Sequence, residues 1–147
     1  MAWYMRSTRA VAASPEAVYR YYADPSTWGD WAHNTRGASG DPVAADGAPV
    51  RVTDGFRHTW TVHATDVVPG RHVTYVNRLP GVTITSSYDV QSTPMGCTID
   101  HVIEMRGPWE MAYRPLQPLY GHLLKLETGR LKGLAERDAS RASPQTV

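Results

Sequence analysis

Between Ala32 and Arg106 the chain is cut by glycine turns at Asp46-Gly47, Asp54-Gly55, Pro69-Gly70, Pro80-Gly81 and Pro94-Met95-Gly96, with short runs of β-branched and aromatic residues between them. Glycine supplies the positive φ of a tight reversal, and runs of this composition between such turns read as strands. Strands joined this closely pair antiparallel, because a parallel pair needs a crossover of about a dozen residues or more. The stretch therefore predicts an antiparallel meander and argues against a βαβ nucleotide-binding sheet. Neither a glycine-rich phosphate fingerprint nor a P-loop occurs.

The flanks follow different rules. The first ten residues alternate and predict one more strand. At Ser14-Pro15-Glu16 the signals are those of a helix start: a serine cap, a proline at the first helical position and an acid at the positive end. That helix should run to about Tyr22. Asp24-Pro25 repeats the signal and starts a second short helical turn through Trp28. After Gly107-Pro108 the apolar period becomes helical; Pro115 and Pro118 interrupt the first turns, leaving a main helix from about Leu119 to Arg137. The expected class is α+β: a curved antiparallel sheet of about six to seven strands wrapped around a long C-terminal helix, with two short helices after the first strand. Residues 1–138 should form one domain, and 139–147, small and polar, a disordered tail. There is no internal repeat.

Composition narrows the partners. At 147 residues the chain has the size of one domain. Its 15 Lys and Arg balance 14 Asp and Glu without long runs of one sign, so nucleic acid is not an expected partner. No segment approaches the roughly 18 uninterrupted apolar residues of a membrane span, so membrane insertion is not expected. Cys97 is the single cysteine and has no internal disulfide partner, which suits a reducing cytoplasm. Five Trp and eight Tyr stand against one Phe, and aromatic rings with polar tips suit a half-polar interior better than a dry core.

Alternation assigns each strand an inner face. His58, Trp60, Val62 and Ala64 share one; Val73, Tyr75, Asn77 and Leu79 another; Val82, Ile84, Ser86, Tyr88 and Val90 a third; Cys97, Ile99, His101, Ile103 and Met105 a fourth. The short loop through Pro94 and Gly96 places His101 opposite Ser86 or Tyr88, within reach of a shared hydrogen bond, and the Pro80-Gly81 turn brings Tyr75 close to Ser86. On the last helix, spacing of about 100° per residue puts Leu116, Leu119, Tyr120, Leu123, Leu126, Leu131 and Leu134 on one arc with Glu127 near its centre. A carboxylate there needs Arg130, a wall hydroxyl, water or a ligand beside it, because an unpartnered buried charge is costly.

Ala13-Ser14-Pro15-Glu16-Ala17-Val18 leading into Asp24-Pro25-Ser26-Thr27-Trp28-Gly29-Asp30-Trp31, then Gly96-Cys97-Thr98-Ile99-Asp100-His101 running to Glu104, then the leucine-rich helix ending Leu131-Lys132-Gly133-Leu134-Ala135-Glu136 resemble the polyketide cyclase/dehydrase and lipid-transport type of the START-related, birch-pollen-allergen-like superfamily. The resemblance spans almost the whole chain. It implies the helix-grip fold and a cavity between sheet and helix for a polyketide, sterol, lipid or aromatic molecule. The similar aromatase/cyclases carry an arginine on a central cavity strand, where this chain reads Trp60-Thr61-Val62-His63-Ala64-Thr65.

For chemistry, His101 is the foremost acid/base candidate, since imidazole titrates near neutrality and a tyrosine or serine can orient it. Tyr88 is a donor to a ligand carbonyl or enolate, and Glu127 a general base; the competing reading for each is structural, as a hydrogen-bonded histidine, wall packing and a helix-to-sheet tie. Trp31, His58, Trp60, Tyr75, Asn77, Ser86, Tyr120 and Leu123 are the candidate ligand contacts, with His33 beside Trp31 at the mouth. A metal site is not expected: His58 and His63 face opposite sides of a strand and no zinc-binding spacing occurs. Cys97 lacks the positive neighbours of an activated thiol, and no cofactor motif is present. The reading is a cyclase or dehydratase of secondary metabolism, acting in the cytoplasm as a monomer or homodimer on a small apolar carbonyl-rich metabolite, which an acyl carrier protein can present. A non-catalytic carrier, sensor or sequestering protein is the alternative, and an interaction protein with exposed tryptophans a third.

Overall fold

The computed structural model describes residues 3–32 and 35–142. Seven strands, β1 (Trp3–Val11), β2 (Thr35–Ser39), β3 (Pro49–Asp54), β4 (Thr59–Val68), β5 (His72–Leu79), β6 (Val82–Thr93) and β7 (Gly96–Arg106), form one antiparallel sheet. Its order is β1-β7-β6-β5-β4-β3-β2. Every connection from β2 to β7 joins neighbours, so the sheet is the meander that the turns predict, and β1 closes onto β7. The helix-grip arrangement is observed: the curved sheet holds α4 (Gln117–Ala142) against its inner face, chiefly over β1.

Both short helices start where their caps stand. The Ser14 hydroxyl accepts from the Ala17 N–H at 3.2 Å and opens α1 (Pro15–Ala23). The Asp24 carboxylate accepts from the Ser26 N–H at 3.0 Å and opens a 3-10 turn, Pro25–Thr27, that runs into α2 (Trp28–Trp31). A third short helix, α3 (Glu110–Tyr113), follows β7. It is pinned by the indole of Trp3, which donates to the Glu110 carbonyl at 3.1 Å, and by Trp109, whose ring lies on Gly81.

The last helix is longer than its prolines suggest. Pro118 falls in the first turn, where its missing N–H breaks no bond, so α4 starts at Gln117. At the other end it passes Arg137 and reaches Ala142, into the segment expected as a tail. Asp138 accepts from the Tyr21 hydroxyl and lies 3.6 Å from Arg20, so that turn packs on α1. Residues 143–147 of the expected tail lie outside the described residues. The buried stripe also differs from the leucine arc. Leu124, Glu127, Thr128, Leu131 and Ala135 face the sheet, while Leu116, Leu119 and Leu126 are exposed. The cause is polar: the Thr128 hydroxyl meets that of Ser7 at 2.9 Å and accepts from the Arg9 guanidinium at 3.1 Å, which rotates the helix toward β1.

Buried side chains gather into two clusters. One joins α1 and α2 to β3–β7 through residues such as Val18, Tyr22, Trp31, Val50 and Ile99. The other joins Trp3, Met5, Val82, Met105 and Leu124. Burial at about 25 cal/mol per Å² of apolar surface is what drives such clusters together; where they fail to meet, a cavity remains.

Candidate functional site

The cavity has two adjoining compartments. The inner one, about 180 Å³, is walled by Trp28, Trp31, Tyr75, Tyr88, Asn77 and Ser86 among others. The outer one, about 380 Å³, is walled by α4 through Leu119, Tyr120, Leu123 and Leu124. Thr35, Trp60, Ile103 and Glu127 line both and so mark the junction.

Strand register builds the inner wall. Tyr88 and His101 are directly opposed on β6 and β7, and Tyr75 is opposed to Ser86 on β5 and β6. Opposed residues on one face are close enough for ring contact. The imidazole of His101 stacks on the Tyr88 ring at 4.0 Å between centroids, with 30° between planes. Tyr22, delivered by α1, packs on Tyr88 at 4.4 Å. Trp31 meets Tyr22 and Tyr88 edge-on at 5.4 and 5.9 Å, and Trp28 meets Tyr75 edge-on at 4.8 Å. Edge-on and offset geometries are those in which the positive ring edge meets a negative face.

Into this aromatic wall α4 inserts Glu127, whose Oε1 lies 3.5 Å from Nδ1 of His101. Both are nearly enclosed, with 2% of the histidine side chain and 11% of the glutamate side chain exposed. Burial pushes His101 down to about 3, against a smaller upward pull from Asp100, so the imidazole is neutral at physiological pH. A neutral ring fits best with its proton on Nδ1, because the other tautomer would aim a lone pair at a carboxylate oxygen. Nε2 is then a bare acceptor, and it finds no partner among the described residues. The hydroxyls of Tyr88 and Tyr22 are pushed well up by burial and by the negative charge of Glu127, so both stay protonated donors at neutral pH.

The structure brings together Trp31, Trp60, Tyr75, Asn77, Ser86, Tyr88 and His101 in the inner compartment, with Tyr120, Leu123 and Glu127 on the helix side. Their contacts differ from the sequence reading in three ways. His101 and Tyr88 meet as a ring stack, and the hydroxyl beside that of Tyr88 is Ser86. The Tyr75 hydroxyl donates to the Tyr22 carbonyl at 2.7 Å, tying β5 to α1. The helix carboxylate meets the wall imidazole, and Arg130 is exposed.

His58 is a correction. Parity gives it an inward face, but strand pairing begins only at Thr59; Asp54 accepts from the Phe56 and His58 N–H groups at 2.9 and 2.8 Å and turns the chain there. Its imidazole is 80% exposed, beside Asp54, and lines neither compartment. His33 lies outside the described residues. Cys97 is buried and burial pushes its thiol up, the reverse of activation. Among the described residues no group of three His, Cys, Asp or Glu could hold a metal ion, and no helix is long and apolar enough to cross a membrane. Sequence reasoning missed Tyr22, Thr35 and Leu124. Tyr22 carried a signal, since it stands one helical turn after buried Val18; Thr35 carried none.

With this geometry in hand, comparison with known proteins is informative. The family model described as polyketide cyclase/dehydrase and lipid transport matches residues 3–141. No curated protein sequence matches the chain. Among solved structures, the ZhuI aromatase/cyclase from Streptomyces sp. R1128 superposes with a TM-score of 0.77 at 17% identity, over 97% of this chain and 99% of that one. A START superfamily protein from Mycobacterium smegmatis gives 0.72 at 12%, over 91% and 97%. The di-domain aromatase/cyclase StfQ of the steffimycin biosynthetic pathway gives 0.71 at 12%, over 95% of this chain and 53% of that one. At these identities the likeness is one of fold.

Proposed function

The chain belongs to the polyketide cyclase/dehydrase and lipid transport family, and on that premise we propose that it binds a small, largely apolar, carbonyl-rich metabolite between sheet and helix and promotes its cyclisation or dehydration by proton transfer. The observation that supports this best is the Glu127 carboxylate on the wall shared by both compartments, 3.5 Å from a neutral His101.

In this reading Glu127 takes a proton from the carbon next to a ligand carbonyl, and the enolate oxygen accepts a hydrogen bond from the Tyr88 hydroxyl. The enolate carbon attacks a second carbonyl carbon of the same molecule, and the new alkoxide recovers the proton from Glu127. Water loss repeats the cycle: the carboxylate removes a second α-proton and returns it to the departing hydroxyl. Positioned acid/base catalysis of this kind typically contributes about 10²- to 10⁴-fold, and holding one end of a flexible molecule near the other adds to it. His101 acts through Glu127, as a positioning residue whose Nδ1–H faces the carboxylate. No lysine or arginine lines the cavity among the described residues, so Tyr88, Ser86 and Asn77 would carry the hydrogen bonding to oxygen.

The test is to incubate the protein with a panel of poly-β-ketone thioesters and aromatic diketones, following both binding and product. Saturable binding with turnover above the uncatalysed rate supports the cyclase. Saturable binding without turnover across the panel overturns it in favour of a carrier.

A further inference from the structure

The two ends of the sheet differ in what they show to solvent. Strands β3, β5 and β7 run toward one end and β4 and β6 start from it, so the β3–β4 turn, the β5–β6 turn and the segment from β7 into α4 all lie there. Together they expose Phe56 (78%), Leu79, Trp109 (56%), Met111 (61%), Leu116 and Leu119. The turns at the opposite end expose two large apolar side chains among the described residues, Val68 and Met95. The Trp109 N–H donates to the Gly81 carbonyl at 3.0 Å and its ring lies on that glycine, which joins two of the three segments into one surface. Leu119 also walls the outer compartment, so the cavity reaches this surface.

Charge divides in the same way. On these segments Arg57, Arg78 and Arg114 are exposed, and Arg106, also exposed, is paired with Glu104 at 2.6 Å. The acids are withdrawn: Glu110 is buried, and Asp54 is buried and accepts from the Phe56 and His58 N–H groups. Asp41 and Asp46, by contrast, stand exposed in the β2–β3 loop at the far end. Arg57 holds φ at +67°, the left-handed region that favours glycine, so the β3–β4 turn keeps an arginine at its tip at a conformational cost.

We propose that this end is a docking surface for an anionic lipid bilayer, on which the protein lies peripherally with its cavity turned to the lipid. Apolar tips set among arginines match a membrane interface: the tips enter the acyl boundary, tryptophan sits at headgroup level, and arginines reach up to the phosphates. A bilayer takes such tips in any spacing, whereas a protein partner would need a matching contour. The docking itself does not use the acid/base reading; only its purpose, passage of an apolar ligand between bilayer and cavity, rests on the cavity.

The experiment is vesicle flotation of the full chain at neutral pH and low salt, with phosphatidylcholine alone or mixed in equal parts with phosphatidylglycerol. The mixed vesicles should bind about tenfold or more tightly than phosphatidylcholine, since each arginine near an anionic surface contributes about fivefold. Arg57→Gly should lower that binding about fivefold without lowering the melting temperature, because glycine accepts the positive φ. Phe56→Ser combined with Met111→Ser, both at exposed positions, should lower it about tenfold. No flotation with the mixed vesicles, or flotation unchanged in both variants, would overturn the docking surface. An acidic carrier protein bound at this face, with no vesicle binding, would overturn it as well. Each of these failures leaves the cyclase reading of the cavity standing.

Discussion

His101 carries a consequence that can be measured without any ligand. Its folded pKa of about 3 lies below the ordinary 6.5, so between those values the unfolded chain binds a proton that the folded one refuses. Stability is thus complete above pH 6.5 and falls as pH drops toward 3. From pH 6.5 to 4.5 this one group should account for about 2 kcal/mol of lost stability. Urea unfolding at the two pH values should show a drop smaller by about that amount in His101→Gln; equal drops would mean the imidazole titrates normally. The two tyrosines nearby should separate. Tyr75→Phe removes the shorter of two hydrogen bonds to the Tyr22 carbonyl, which keeps the Trp28 indole N–H at 3.3 Å, and should cost about 0.5–1.5 kcal/mol. Tyr88→Phe keeps the ring stack and should cost less than about 1 kcal/mol, with its loss falling on turnover. His101 and Glu127 were legible in the sequence because strand and helix periods each put a polar group on an apolar face. His58 was misread because parity says nothing about where pairing stops, and Asp54 ends it first. Helical spacing from Val18 marks Tyr22 as inward-facing, but its contact with the Tyr88 ring on β6 is one that no local pattern reports.

Among the elements, the turns were the most legible, since Gly81 and Gly70 take the positive φ that a reversal demands. The orientation of α4 was the least. Its leucine arc predicted one face, yet Thr128, Ser7 and Arg9 select another, and hydroxyl pairs between distant segments leave no mark on hydrophobic period. Two glycines test these elements in opposite directions. A Cβ at Gly81 would stand 2.3 Å from the Trp109 ring, at φ +78°. Gly81→Ala should therefore destabilise by more than about 1 kcal/mol and change the environment of Trp109, visible as a shift in tryptophan emission. Gly133, inside α4, has open space around it. Gly133→Ala should stabilise by about 0.5–1 kcal/mol, raising the melting temperature in calorimetry; a fall would mean that face of α4 is not open.

At the scale of the molecule, the fold leaves two apolar clusters that do not merge, and the cavity occupies the space between them. Sheet and helix each supply half of the His101–Glu127 pair, so neither element forms it alone. That division explains why the strand meander and the final helix could be read from the sequence while the 3.5 Å approach of His101 to Glu127 could not: it depends on helix rotation and sheet curvature together. The most direct test of proton transfer at this pair needs only a simple aromatic 1,3-diketone in D2O. Proton NMR would follow deuterium entering the carbon between the carbonyls, with the protein saturated by the diketone. Wild-type protein should accelerate the exchange above the buffer rate, and Glu127→Gln should lower that acceleration by about 10²-fold or more while still binding the diketone. Exchange that proceeds equally fast in Glu127→Gln would contradict the role assigned to the carboxylate.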